Sequence, residues 1–375
     1  MFDFDRESPS FIQAAYCLVY YIIFFVLCYK DYYTCIWVRT NHIPKLSTPI
    51  ILLFFIFTLT YFIDTDYFHY YSYIKKISQG YNILTIEPIY KTIASIVQYQ
   101  YLLFRAVVWG SAMTILYFTS RKAHIKPDYV LYFLFVMYFG LFAYARASLA
   151  MAIVYFGFYY WDNSRQRLSL KLMGLFIMCI SVAFHSSMVL ALICCLTAPL
   201  LKWTKSRILI YILAIPVISL MIKFLLNWFI NSGSTESMVI NKLIFYSETS
   251  GPVERTLLGE LRNNLQILAF VCPLFFIGYR VYFRNIVKNI KALGFELDLF
   301  KISFLLLAIS FAFLKIGLDT EVFSYRIRFM AMIPIVYSFI GLLQKKVIKI
   351  RDAQICLIIG FIYTIMGMLY TIKHA

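Results

Sequence analysis

The sequence predicts an all-α fold: a polytopic membrane bundle of about twelve transmembrane helices, with loops at its extracytoplasmic end forming the site. Three observations carry this expectation. Only 14% of the 375 residues are charged and 62% are hydrophobic, whereas soluble domains carry about 25% charged residues. The apolar residues fall into runs of roughly membrane-spanning length. The basic residues cluster between those runs, in alternate loops, which is the pattern of a chain threaded through a bilayer with its positive loops inside.

A spanning helix needs about 20 mostly apolar residues. Candidate runs occur in order at 11–29, 49–63, 103–119, 129–145, 147–161, 172–185, 187–201, 208–227, 265–283, 301–317, 329–343 and 353–371. The fourth to seventh are short and close together, so tight hairpins are expected there. Alternate connections carry Lys30/Arg39/Lys45, Arg121/Lys122/Lys126, Arg165/Arg167/Lys171, Lys202/Lys205/Arg207, Arg280/Arg284/Lys288/Lys291/Lys301 and Lys345/Lys346/Lys349/Arg351. These connections are expected in the cytoplasm, which places both termini outside. The chain then reads as one integral membrane domain, 1–375, with 64–102 and 228–264 as the larger periplasmic loops and 318–328 as a shorter one. Residues 89–102 are amphipathic and suited to the interface. The N-terminus, MFDFDRESPS, is acidic and lacks a small-residue cleavage site, so the first run is expected to be a permanent helix.

The net charge of +17 does not point to nucleic acid, because the basic residues are spaced between apolar runs and form no single amphipathic surface. The eight Cys include no Cys-x-x-Cys pair and have no His or acid nearby at ligand spacing; they read as small buried hydrophobes. No Walker loop, dinucleotide fingerprint, zinc-protease helix or nucleophile elbow is present. No cofactor is expected, and any energy must come from a substrate that is already activated.

Polar residues with chemical potential collect at the outward ends of the runs. Asp64 and Asp66 stand at the exit of the second run, followed by Tyr67, His69, Tyr70 and Tyr71, and later by Glu87-Pro88-Ile89-Tyr90. Such an acid pair could bind a divalent ion, accept a proton or hydrogen-bond sugar hydroxyls, and Tyr rings suit the C–H faces of sugars. Arg146 sits between two short runs with no acid near it in sequence. A charge at such depth is expensive, and a planar guanidinium suits phosphate. His185, in Phe184-His185-Ser186-Ser187, lies at the turn of the next short hairpin and could act as a general base. Arg326 and Arg328 directly precede a span on the outward side, so they require a partner: Asp319, Glu321 or an anionic ligand. Few charges fall inside the runs; Arg105, Lys223 and Lys315 lie near span ends.

Taken in order, Thr65-Asp66-Tyr67-x-x-Tyr70, Glu87-Pro88, Arg146-x-x-Leu149-Ala150, Phe184-His185-Ser186-Ser187 and Tyr325-Arg326 resemble the Wzy/EpsG-like O-antigen and exopolysaccharide polymerases. Asp64 stands where that family usually has Gly. The resemblance implies a multi-pass enzyme of the bacterial inner membrane that transfers a growing glycan from undecaprenyl pyrophosphate to the next lipid-linked repeat unit on the periplasmic face. It implies catalytic roles for Asp66, His185 and Glu87. Arg146, Arg326, Arg328, Asp64, Tyr67 and Tyr70 would bind pyrophosphate and sugar, without a metal. The implied partners are the undecaprenyl-pyrophosphate-linked oligosaccharide, membrane lipid, a chain-length regulator and a flippase. Two rival readings stand beside it: a metal-assisted glycosyltransferase using polyprenyl-phosphate sugar, and a non-enzymatic flippase of lipid-linked oligosaccharide.

Overall fold

The structure is a computed structural model, and it describes residues 9–37, 48–63, 66–81, 87–142, 145–163, 167–201, 203–231, 257–284, 293–314 and 321–374. Among them every regular element is helical. In chain order the helices are α1 (Phe11–Trp37), α2 (Thr48–Leu59), α3 (Asp66–Ser78), α4 (Pro88–Ile96), α5 (Tyr101–Lys122), α6 (Pro127–Phe142) and α7 (Ala145–Asn163). They continue with α8 (Leu168–Phe184), α9 (Met188–Thr197), α10 (Lys205–Asn231), α11 (Leu257–Gly278), α12 (Gly294–Leu314), α13 (Glu321–Gln344) and α14 (Ile350–His374).

Each apolar run of the sequence falls on one of these helices; α3 and α4 are two short additions within 64–102. Among the described residues, four segments are long and apolar enough to cross a membrane: Tyr101–Lys122, Gly259–Phe283, Ser324–Gln344 and Ile350–Ile372. The expected count of about twelve spans is therefore not established by helix length and composition. At 1.5 Å per residue, the 12 residues of α2 and the 16 of α6 fall short of a bilayer core about 30 Å thick.

Two more of the expected outward segments contain helix. Helix α13 begins at Glu321, so most of 318–328 is helical, and α10 and α11 reach into 228–264 from both sides. The remainder of that loop, 232–256, lies outside the described residues. Hydropathy marks where an apolar layer ends, but a helix closes its backbone hydrogen bonds within itself and can run past that layer.

Helix α13 is the central element and is buried along most of its length, with α12, α11, α6 and α7 against it. The Tyr155 hydroxyl of α7 donates to the Met330 carbonyl at 2.7 Å. Helices α7 and α8 meet backbone to backbone. A Cβ added at Gly174 would lie 2.6 Å from the Trp161 nitrogen and 2.7 Å from the Gly157 carbonyl oxygen. In a lipid medium, where apolar side chains gain little from leaving the solvent, such small-residue contacts supply the packing that holds helices together. Gly174→Val is therefore expected to push α7 from α8 and lower the folded yield sharply, whereas Gly367→Val, where an added Cβ meets nothing, should not. Size-exclusion profiles of the two variants in detergent check this.

Among the described residues, several of the basic connections meet at one end of the bundle. The Tyr159 hydroxyl donates to the Lys122 carbonyl at 2.8 Å, and the Lys126 amide donates to Gln344 Oε1 at 3.3 Å. Lys345 pairs with buried Glu296 at 2.6 Å. Arg280 holds Asp352 with both arms, at 3.0 and 2.9 Å.

Candidate functional site

The opposite end assembles several of the polar residues singled out in the sequence. Helix α3 buries Tyr67, Tyr70 and Ile74, one stripe at helical spacing. It is anchored through Tyr67, whose hydroxyl donates to the Leu59 carbonyl at 3.0 Å and whose carbonyl accepts from the Tyr101 hydroxyl. The guanidinium of Arg105 lies 4.1 Å over the Tyr67 ring and 3.9 Å over Trp109. Arg105 is 0% exposed, and its two terminal nitrogens donate to the Tyr101 hydroxyl at 3.0 Å and the Thr58 carbonyl at 3.2 Å. A buried cation is thus held by aromatic faces and oxygen dipoles, tying α2, α3 and α5 together.

Glu87 is the residue before Pro88 and takes the extended conformation (φ −63°, ψ 144°) that a following proline imposes. Pro88 at the first helical position suits the start of α4. The Glu87 carboxylate does not cap its own helix; it accepts from Arg146 at 2.7 Å. One turn later the buried Tyr90 hydroxyl donates to the Arg146 carbonyl at 2.7 Å. The Glu-Pro-x-Tyr segment therefore grips Arg146 at side chain and backbone together.

Arg146 occupies the first turn of α7, where the helix dipole disfavours a cation. Glu87 supplies the opposing charge from 59 residues away. Tyr70 supplies a third contact: Arg146 Nε donates to its hydroxyl at 2.6 Å. The two ion-pair side chains retain 17% and 20% exposure, so the pair is shielded yet reachable. Burial first, and then the Glu87 and Tyr70 oxygens, push the Tyr90 phenol well above its ordinary pKa, which keeps it a donor to the Arg146 carbonyl.

His185 follows the last residue of α8. The Phe184 ring meets Tyr90 edge-on at 5.8 Å, which brings the end of α8 against α4. His185 Nδ1 lies 2.6 Å from Ser187 Oγ, a contact that fixes the ring and directs Nε2 away from Ser187. Either atom can donate in this contact; in the tautomer with the proton on Nδ1, Nε2 carries the lone pair.

The structure thus brings together Tyr70, Glu87 and Arg146, with His185 next to their support. Asp66 is the first residue of α3, and Asp64 lies outside the described residues. Tyr67 is buried with ring and hydroxyl both engaged inside the protein, so it positions α3 rather than facing a ligand. Arg326 and Arg328 do not act as one basic pair. Two residues apart on α13, they point to roughly opposite faces: Arg326 is exposed, and Arg328 is 2% exposed. Arg328 and Arg262 both lie in electrostatic reach of Tyr363, whose hydroxyl accepts from Gln266 at 3.1 Å. Among the described residues, no three His, Cys, Asp or Glu are grouped as a metal ion would require.

Two contributors carry little signal in the sequence. Arg105 reads there only as a charge near a span end, although Tyr101, Arg105 and Trp109 recur every four residues on one face of α5. Tyr90 has a local signal, three residues after Glu87, but its target lies in a distant helix.

The EpsG family model matches residues 46–375, most of the chain and all the residues of this cluster. No curated protein matches the chain, and no solved structure matches it.

Proposed function

The chain belongs to the EpsG family, and from that premise we propose that it is a polysaccharide polymerase acting on lipid-linked repeat units. Its apolar helices and its family make it a membrane protein. In this reading all the apolar helices cross the bacterial inner membrane, the shorter ones through locally thinned or protein-lined regions, and the Arg146 cluster faces the periplasm. The reaction joins an acceptor sugar hydroxyl to the anomeric carbon of the donor glycan. The C–O bond to undecaprenyl pyrophosphate breaks, the pyrophosphate leaves with the bonding electrons, and a base takes the hydroxyl proton.

The observation that carries the proposal is the convergence of Arg146, Glu87 and Tyr70, from three separate stretches of chain, at one end of an apolar bundle. Arg146 neutralises charge developing on the pyrophosphate, where a shielded site strengthens the interaction. Glu87 balances Arg146 when no substrate is bound. With phosphate in its place, that carboxylate becomes a base for the acceptor hydroxyl, alongside His185 and Asp66. Tyr70 holds the guanidinium plane, and Arg326 and Asp64 contact the lipid-linked substrates.

Deletion of the gene followed by gel display of surface glycan tests this reading. A single-repeat product is expected, whereas complete loss of glycan would point to a flippase or an earlier transferase. Turnover by the purified protein should also persist in EDTA. Loss restored by magnesium or manganese would instead favour a metal-assisted transferase built on Asp64 and Asp66.

A further inference from the structure

A second concavity lies at the far end of α7 and α8 from the Arg146 cluster. Trp161 and Asp162 are some 15 residues along α7 from Arg146, about 22 Å at 1.5 Å per residue. Lys171, in the first turn of α8, is similarly far from His185. With residues of α12, and with Pro199, Trp203 and Tyr282, they line a cavity of about 380 Å³, within the range of small-ligand pockets, about 300–1,000 Å³.

The lining is electrically mixed. Lys171 and Lys301 contribute two positive charges; Asp162 and Asp298 contribute two negative ones. Lys301 is paired with Asp298, and Lys171 lies 5.7 Å over the Trp161 ring. A polyanion would meet two carboxylates, and a simple cation would meet two ammonium groups. A headgroup with both charges a few atoms apart suits both halves: its phosphate toward the lysines, its ammonium toward a carboxylate and an aromatic face. Trp203 and Tyr282 supply further aromatic edges. Helix α8, which contributes Lys171 to the cavity, also exposes the apolar side chains Leu172 and Phe176, along which acyl chains can lie.

We propose that this cavity binds an aminophospholipid through its zwitterionic phosphoethanolamine headgroup. The inference rests on the chain lying in a membrane and not on the polymerase reading, so either can fail without the other. The test is native mass spectrometry of the full-length protein, titrated in detergent with phosphatidylethanolamine, phosphatidylglycerol and phosphatidylcholine of identical acyl chains. Phosphatidylethanolamine should be retained about tenfold more tightly than phosphatidylglycerol, because the anionic lipid lacks the ammonium that the aromatic face and carboxylate recognise. Phosphatidylcholine should bind more weakly than phosphatidylethanolamine, since its quaternary nitrogen has no N–H to donate to a carboxylate. Lys171→Gln and Asp162→Asn should each remove that preference. Equal or tighter binding of phosphatidylglycerol would overturn the proposal and leave an ordinary contact with anionic lipid. An unchanged preference in both variants would place the headgroup elsewhere. The comparison of lipids on the unmodified protein decides the case even where a variant folds poorly.

Discussion

Arg146→Ala should reach the membrane at a level that permits assay and yet yield almost only single-repeat glycan. Losing a charge-assisted bond to a shielded phosphate removes about 2–4 kcal/mol of transition-state stabilisation, a rate loss of about 30- to 1000-fold. The geometry sharpens the prediction for the conservative replacement. One ammonium can keep the pairing with Glu87, but it cannot also reproduce the Nε contact to Tyr70 at 2.6 Å, because a point charge does not replace a fork. Arg146→Lys should therefore fold like the parent and remain severely impaired. Tyr70→Phe, which keeps the ring and removes one acceptor, should lose roughly ten- to hundredfold, as expected for one hydrogen bond to a charged group. In the Arg146→Lys/Tyr70→Phe double variant the effects should be less than additive, because the ammonium has already lost what Tyr70 supplies. Glu87 stays partly buried when Arg146 is truncated, which carries its own stability penalty, so membrane abundance is measured alongside polymer length. Full activity of both Arg146 variants at normal abundance would remove Arg146 from the site and make Arg255 and Arg262, near the end of the 228–264 segment, the next candidates.

The second large effect is expected at Arg105, and it should be seen first in stability. Replacement by Met fills part of the volume but leaves the Thr58 carbonyl and the Tyr101 hydroxyl without their donor, and it removes the cation from over two aromatic rings. Each acceptor left without its donor costs about 1–3 kcal/mol, partly offset because the buried charge no longer has to be desolvated. Arg105→Met should therefore lower the midpoint of thermal unfolding in detergent by many degrees and loosen α3, which carries Tyr70. Arg105→Lys should fall between, since it keeps the charge but cannot span both oxygens. A functional consequence should follow the structural one. Where low-temperature expression restores abundance, polymer output should still be reduced, because Tyr70 is no longer fixed under Arg146. A normal unfolding midpoint in Arg105→Met would show that aromatic packing alone holds α2, α3 and α5.

The two arginines differ in how far the sequence alone reveals them. Arg146 is conspicuous because an isolated charge in an apolar stretch is costly wherever it lands, and that cost can be read without knowing the partner. Arg105 is not, because near a span end a charge can reach the interface and need nothing further. Its significance depends on three aromatic residues, one of them, Tyr67, on another helix. The Arg326 and Arg328 pair illustrates the reverse. As loop residues they could share one ligand; once helix α13 begins at Glu321, their spacing turns them to different faces.

From the sequence alone followed the all-helical membrane class, the place of each apolar helix and the short inventory of residues able to do chemistry. Each of these depends on local quantities: runs of apolar side chains, charge between runs, a proline after a carboxylate. The number of helices that cross the bilayer did not follow from hydropathy, since several are too short to span it unaided. Only the tertiary structure decided that Glu87 is the counter-charge of Arg146, that Tyr90 holds the Arg146 backbone and that Arg105 is caged under α3. Those pairings join residues dozens of positions apart, and their energies come from close packing and shielding, which exist only once the helices have come together.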